Sequence, residues 1–232
     1  MRSARFIKAL LASTALAGVA QAQQLPTAPQ VQSGQVRFDQ SKPNTLQIQQ
    51  STPTAIVNWQ SFNIGQTNKV DIQQLNGNSV MLNRVTGDTP STIAGQLTAT
   101  GQVFLVNPNG IVITKTGEVV AAGFAASTLD ISNKDFLAGK FNFFGSGASR
   151  AVENEGRITT SPQGYVALIG GKVANSGSIL VPTGKVGLGS GEQATLDPSG
   201  DGFLQVALPT KAAGDDALVK NSGKISAGVV KL

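Results

Sequence analysis

Past its first 22 residues the chain alternates apolar runs of about four to eight residues with Gly, Asn, Ser, Thr and Pro, and no stretch holds a 3.6-residue period. Runs of that length between turn residues read as short strands, so the expectation is an all-β chain. Strands are predicted at residues 45–49, 55–59, 69–73, 79–82, 103–106 and 111–114. Between residues 121 and 144 the pattern loosens. Ala125-Ala126-Ser127-Thr128-Leu129-Asp130 has the look of a helical turn, but the Ser and Asn that follow argue for a corner.

From residue 150 an imperfect repeat of the form Val-x-Asn-x-Gly-x-Ile appears. It runs over residues 152–158, 173–179 and 219–225, with Asn154, Asn175 and Asn221 at its centre. The first spacing is one coil of a solenoid; the second is two coils, or one coil with an insertion, for which residues 197–201 and 212–216 are candidates. Further strands are expected at residues 165–169 and 185–188. A repeat of about 20 residues built from short strands predicts a right-handed parallel β-helix whose coils lie about 4.8 Å apart. A β-sandwich also uses short strands, but it would not require the near-repeat. Unpaired edges recruit other strands, so an N-terminal cap over residues 23–62 is expected, with small β elements outside the solenoid. The three Asn have two readings: an amide ladder up the corner, or separate left-handed turn residues.

The leader changes the picture. Arg2, Arg5 and Lys8 precede an apolar run over residues 9–19, and Ala20 and Ala22 put small residues where a signal peptidase reads. Residues 1–22 are therefore a signal peptide and 23–232 one mature domain. A membrane anchor would want about 18 or more apolar residues. Without the three leader cations the formal charge of +5 falls to +2. No basic patch with interleaved aromatics is present, so nucleic acid is not an expected partner. Cysteine is absent, so no disulfide can lock the fold before the chain reaches its destination.

The inventory for catalysis is poor. With no His and no Cys, Ser-His-Asp and Cys-His schemes and His-rich metal sites are excluded. Glycoside hydrolysis needs two facing carboxylates, and the nearest pairs are Glu153 with Glu155, Asp197 with Asp201, and Asp215 with Asp216. The first pair falls in a coil corner; the second suits calcium less well than a plain turn. Residues 184–191 are glycine-rich but lack the Gly-Lys-Ser/Thr ending of a phosphate loop. Trp59 and Phe62, near Ile56 and Ile64, read as core residues, not as a sugar platform. No catalytic, metal or cofactor residue is assigned, and an enzyme is not expected.

The most specific segment is residues 102–113, where Asn107-Pro108-Asn109-Gly110 sits between two apolar strands. Asn first, Pro second and Gly fourth are the preferences of a type I turn. Four ordered blocks resemble the two-partner secretion, or haemagglutination-activity, domain of bacterial exoproteins such as filamentous haemagglutinin. They are residues 55–65 (Ala-Ile-Val-Asn-Trp-Gln-Ser-Phe-Asn-Ile-Gly), 82–85 (Leu-Asn-Arg-Val), 101–111 around the turn, and 126–130 (Ala-Ser-Thr-Leu-Asp). The Asn-Pro-Asn-Leu motif often described for that family is absent. The resemblance implies a parallel β-helix that targets an exoprotein for secretion. Its partner would be an outer-membrane β-barrel transporter with periplasmic docking domains, which takes up the chain largely unfolded; folding follows outside the cell. It further implies adhesion to host or neighbouring-cell surfaces, no cofactor, and a secretion motif at Asn107, Pro108, Asn109 and Gly110 that acts by shaping a coil or by touching the transporter. A polysaccharide-active β-helix enzyme and a small secreted coat protein are the alternatives. Residues 225–232 stop in mid-coil, which suggests a piece of a longer exoprotein or an edge paired with something else.

Overall fold

Residues 24–147, 149–208 and 218–232 are described in a computed structural model of the chain. The expected signal peptide with Ala20 and Ala22, the suggested insertion at 212–216 and the Asp215–Asp216 pair lie outside them. The chain opens with β1 (Gln30–Ser33) and β2 (Val36–Asp39), then winds a first coil from β3 (Thr45–Gln50) and β4 (Thr54–Trp59). The second coil carries β5 (Lys69–Gln73), β6 (Val80–Val85) and β7 (Ser91–Ile93); the third carries β8 (Gln96–Ala99), β9 (Gln102–Val106) and β10 (Ile111–Ile113). The fourth has β11 (Glu118–Ala121) and β12 (Gly123–Ser127). It is then interrupted by an excursion of β13 (Asp130–Ile131), helix α1 (Asn133–Leu137) and β14 (Phe141–Phe144), and closes with β15 (Ala151–Asn154). The fifth comprises β16 (Arg157–Thr160), β17 (Tyr165–Gly170) and β18 (Lys172–Asn175). In the sixth, β19 (Ser178–Ser190) bends across two faces, a hairpin of β20 (Gln193–Leu196) and β21 (Leu204–Leu208) leaves the solenoid, and β22 (Val219–Asn221) returns to it; β23 (Lys224–Lys231) lies on top.

Like strands stack in parallel register, which makes three faces. The first face stacks β3, β5, β8, β11, β16, the start of β19 and the start of β23. On it Leu46, Val70, Leu97, Val119, Ile158 and Ile179 occupy one inward row, because alternate residues of a strand point to one side. Its outward row mixes Gln47, Asp71 and Thr98 with Val120, so this face shows the alternation of a sheet wetted on one side.

The second face stacks β4, β6, β9, β12, β17 and the end of β19, and it is buried on both sides. That is why Val103 to Val106 is an unbroken apolar run: Val103 and Leu105 enter the solenoid core, while Phe104 and Val106 enter a second core outside it. The second core is roofed by α1, β13, β14, β20 and β21, with Phe136, Phe143 and Phe203 fully covered. The rings of Phe104 and Phe136 meet edge-on at 5.4 Å. Burial on two sides is normal for a parallel sheet covered by other elements.

Several expectations are corrected. The cap is narrower than residues 23–62: only β1 and β2, which add antiparallel to β4 and β3, cover the first rung. Residues 45–59 already belong to the first coil. Residues 125–127 are neither helix nor corner but buried strand, because the roof dries their outer side. The helical turn comes a few residues later, capped by Ser132, whose Oγ accepts the N–H of Asp135 at 3.0 Å. Of the two readings of the long gap in the Val-x-Asn-x-Gly-x-Ile repeat, one coil with an insertion is the one found, since Asn175 pairs directly with Asn221.

Candidate functional site

The Asn107–Gly110 turn joins β9 on the second face to β10 on the third. Gly110 N–H donates to Asn107 C=O at 3.1 Å, which closes the turn. Gly110 sits at φ +118°, a region that penalises any side chain. Asn107 is fully buried and uses its whole side chain. Its Nδ2 donates to Thr89 C=O at 3.0 Å and to Ser91 Oγ at 2.9 Å, while its Oδ1 accepts the Asn109 N–H at 2.9 Å. Asn109 Nδ2 donates to Gly87 C=O at 2.8 Å. Below, Ser91 N–H donates to Gly110 C=O; above, Asn107 N–H donates to Ser127 C=O. The turn is thus bonded to the coil on either side of it, and only Pro108 is exposed.

On the third face a row of Ile64, Ile93 and Ile113 continues as Asn154, Asn175 and Asn221. Asn154 Nδ2 donates to Asn175 Oδ1, and Asn175 Nδ2 to Asn221 Oδ1, each at 2.7 Å. None of the three has positive φ. A second amide network lies at the corner between the first two faces, and the sequence reading missed it. Gln74 Nε2 donates to Gln50 Oε1 at 3.1 Å, and Gln74 Oε1 accepts Gly101 N–H at 2.8 Å. The 24-residue offset of the two Gln was the available signal. Trp59 Nε1 donates to buried Asn83 Oδ1 at 3.1 Å, so Trp59 and Phe62 are core residues.

Arg84, from the Leu-Asn-Arg-Val block, fastens the roof. Its Nε lies 2.8 Å from Asp130 Oδ1, Nη1 donates to Asn133 Oδ1 at 2.7 Å, and Nη2 donates to Ile131 C=O. Glu192 fastens the other excursion by accepting from Gly147 N–H, Ser149 N–H and Ser149 Oγ. Burial pushes the Glu192 carboxyl up, but those donors outweigh it and hold the group below its usual range.

Of the described carboxylate candidates, Glu153 lies on β15 with Glu155 exposed just beyond it, and Asp197 is used within its own turn. Asp197 Oδ1 accepts from Ser199 N–H, Ser199 Oγ and Gly200 N–H, and these bonds hold its pKa low. The carbonyls of Pro198 and Gly200 accept from Lys185 Nζ, and that of Asp201 from Lys231 Nζ. Ammonium groups therefore occupy the oxygens a calcium ion would want. The glycine-rich run serves packing: a Cβ at Gly187 would lie 2.8 Å from Leu204, and one at Gly189 2.9 Å from it. Among the described residues no group of three or more His, Cys, Asp or Glu is placed to hold a metal, and no helix is long and apolar enough to cross a membrane.

A parallel β-helix with an antiparallel cap, a roofed second face and a buried Asn-Pro-Asn-Gly corner defines a class: the secretion domains of large exported bacterial proteins. The TPS secretion domain family matches residues 18–232, and the chain belongs to it. Two heme/hemopexin-binding proteins of Haemophilus influenzae are 38% and 34% identical to it, over 82% and 86% of this chain. The chain spans only 21% and 23% of their lengths. The crystal structure of the HMW1 secretion domain from Haemophilus influenzae superposes with a TM-score of 0.76 at 35% identity, covering 89% of this chain and 57% of that one. The filamentous hemagglutinin secretion domain shares the fold, with a TM-score of 0.58 at 14% identity, over 90% and 97% of the two chains. The chain is a two-partner secretion domain, and proteins of this class leave the cell through an outer-membrane transporter.

Proposed function

We propose that residues 23–232, freed of a signal peptide at residues 1–22, are taken up largely unfolded by the periplasmic docking domains of an outer-membrane β-barrel transporter, and that the β-helix forms outside. The domain addresses an exoprotein to that transporter and performs no reaction of its own. In the whole exoprotein it would stand ahead of regions that meet host or neighbouring-cell surfaces. The observation that carries the mechanistic part is the burial of Asn107. A side chain with no exposed surface in the folded domain, bonded to the coil below, acts by building the corner and so by committing the first coils to the solenoid. Burial outside the cell then opposes return of the chain. The ladder of Asn154, Asn175 and Asn221 extends the same device to later coils.

The test is export of the chain with and without a two-partner transporter in the same host, assayed in the medium. Release should require the transporter and fall with Asn107→Ala, while Pro108→Ala, at the exposed position, should be exported nearly as well. If Pro108→Ala abolishes release while leaving the purified domain as stable as the parent, the motif works by contact and the corner-building reading is wrong. Release that ignores the transporter would remove the secretion reading itself.

A further inference from the structure

The roof does not close flush against the solenoid along its edge. Between the tip of the β20–β21 hairpin and the corner where the first face turns into the second, two adjoining hollows of about 490 and 380 Å³ share Gln102, Pro198 and Ser199. The first is walled by the α1–β14 turn, with Asn142 and Thr195; the second by the corner of the fifth coil, with Pro162 and Gln163. Together they make an elongated groove of the size that takes a small ligand chain.

Its floor is built. Gly123 leaves the outward position of the fourth coil empty, and the Tyr165 ring fills it, as a Cβ there would come within 2.6 Å of Tyr165 Cε1. The Tyr165 hydroxyl thereby reaches past one coil and donates to Gln102 Oε1 at 2.8 Å. The Phe203 ring lies edge-on to Tyr165 at 6.1 Å and holds it from the far side. Gln102 lines both hollows, and with its oxygen engaged its Nε2 has no partner among the described residues. Asn142 likewise accepts from Thr195 Oγ1 at 3.0 Å and keeps its Nδ2 free among them.

The chemistry of the lining selects the ligand. Among the described residues one cation, Lys140, and one carboxylate, Asp197, border the groove, and Asp197 is already bonded within its own turn. A phosphate or a strongly charged chain therefore has nothing to hold it. Amides and hydroxyls alternate instead with the flat rings of Pro162 and Pro198 and the half-buried Phe141. An extended peptide would look for an open strand edge, but β20 is paired on both sides and the corner N–H groups of Ala122, Gln163 and Gly164 already donate to C=O groups of the chain. We infer that this groove binds a neutral oligosaccharide segment, with Gln102 and Asn142 bonding ring hydroxyls and the proline and phenylalanine faces covering the apolar C–H faces of the sugar. Among the described residues no second carboxylate lines it, so the site as described would hold the chain without cleaving it.

The experiment is titration of the processed chain, isotope-labelled for NMR, with maltohexaose, cellohexaose and chitohexaose up to about 10 mM, where even millimolar affinity is visible. A proline-rich hexapeptide serves as the competing probe. At least one sugar should shift the side-chain amides of Gln102 and Asn142 and the backbone of Thr195 and Ser199. Gln102→Glu keeps the oxygen that accepts from Tyr165 but loses the free donor, and Asn142→Asp keeps the oxygen that accepts from Thr195 but loses its own. Each should weaken that binding by about tenfold or more, the loss of one good polar contact. No shift with any sugar overturns the proposal. So does binding that both folded variants leave unchanged, or shifts at the groove produced by the hexapeptide alone.

Discussion

At the residue scale, the Asn-Pro-Asn-Gly corner divides its work unequally. Asn107→Ala deletes bonds to Thr89, Ser91 and Asn109 at a fully buried position and leaves the Thr89 carbonyl without its donor. The expected loss is about 2–4 kcal/mol, read from the urea midpoint of the folded domain. Gly110→Ala meets no atom closer than 3.7 Å, so its cost is conformational alone, about 1–2 kcal/mol from placing a Cβ at φ +118°. An equal or larger loss at Gly110 would show that the backbone, not the amide network, holds the corner. The turn was legible in the sequence because type I preferences are local. The burial of Asn107 was not, since its partners Thr89 and Ser91 come from the previous coil. The Gln50–Gln74 network escaped for the same reason: a single offset of Gln residues is no repeat until the coils are seen to stack.

At the element scale, the roof is the part of the fold that local pattern conceals. The outward row of the second face runs Leu82, Phe104, Ala125, Ala167 and Gly187 from coil to coil. From Phe104 onward the shrinking side chains let the roof approach closer as the solenoid rises, until Leu204 and Phe203 lie against bare backbone at Gly187. Gly187→Val would drive a branched side chain into them, so it should displace the β20–β21 hairpin at a cost of about 1–3 kcal/mol. Hydrogen exchange would register this as lost protection over residues 193–208 with β5 and β8 unchanged. Loss spread evenly over all coils would mean that roof and solenoid form one cooperative unit. The glycine-rich run was readable as composition, and its meaning depended on a hairpin that passes over it.

At the scale of the whole molecule, the chain holds its shape without His, Cys or metal clusters among the described residues, and its pH response follows from few groups. Asp39 is held low by Ser41. Burial pushes Asp71 up but Thr98 and Lys69 outweigh it, and Glu192 and Asp197 are held low by the bonds already described. A carboxylate with a depressed folded pKa stabilises the fold above its unfolded value and loses that contribution as pH falls through the folded one. The urea midpoint should therefore match at about pH 7 and pH 5 and drop by about pH 3, below the unfolded carboxylate range. At the alkaline end, burial pushes the phenol of Tyr165, the single tyrosine of the chain, far above its usual range. The folded state keeps that proton while the unfolded chain releases it above about pH 10, so stability falls as pH rises further. Phenolate absorbance should rise only together with unfolding; a phenolate that forms in the intact fold would contradict the burial of Tyr165. Coil partners such as Asn154 and Asn175 lie 21 residues apart, and Asn175 and Asn221 46 apart. Contacts of that range form slowly, which suits the proposed uptake of a largely unfolded chain.

The sequence by itself determined part of the solenoid's strands, the turn chemistry, the coil repeat and, through four ordered blocks, the family, because each is written in side chains that are neighbours along the chain. Tertiary structure alone decided which strands are buried on both sides, that the cap is only β1 and β2, that the long Asn spacing is one coil carrying a hairpin, and where the groove lies. Those features depend on residues that meet across coils and on how closely one element lies over another, and distance across the stack is not encoded at any single position.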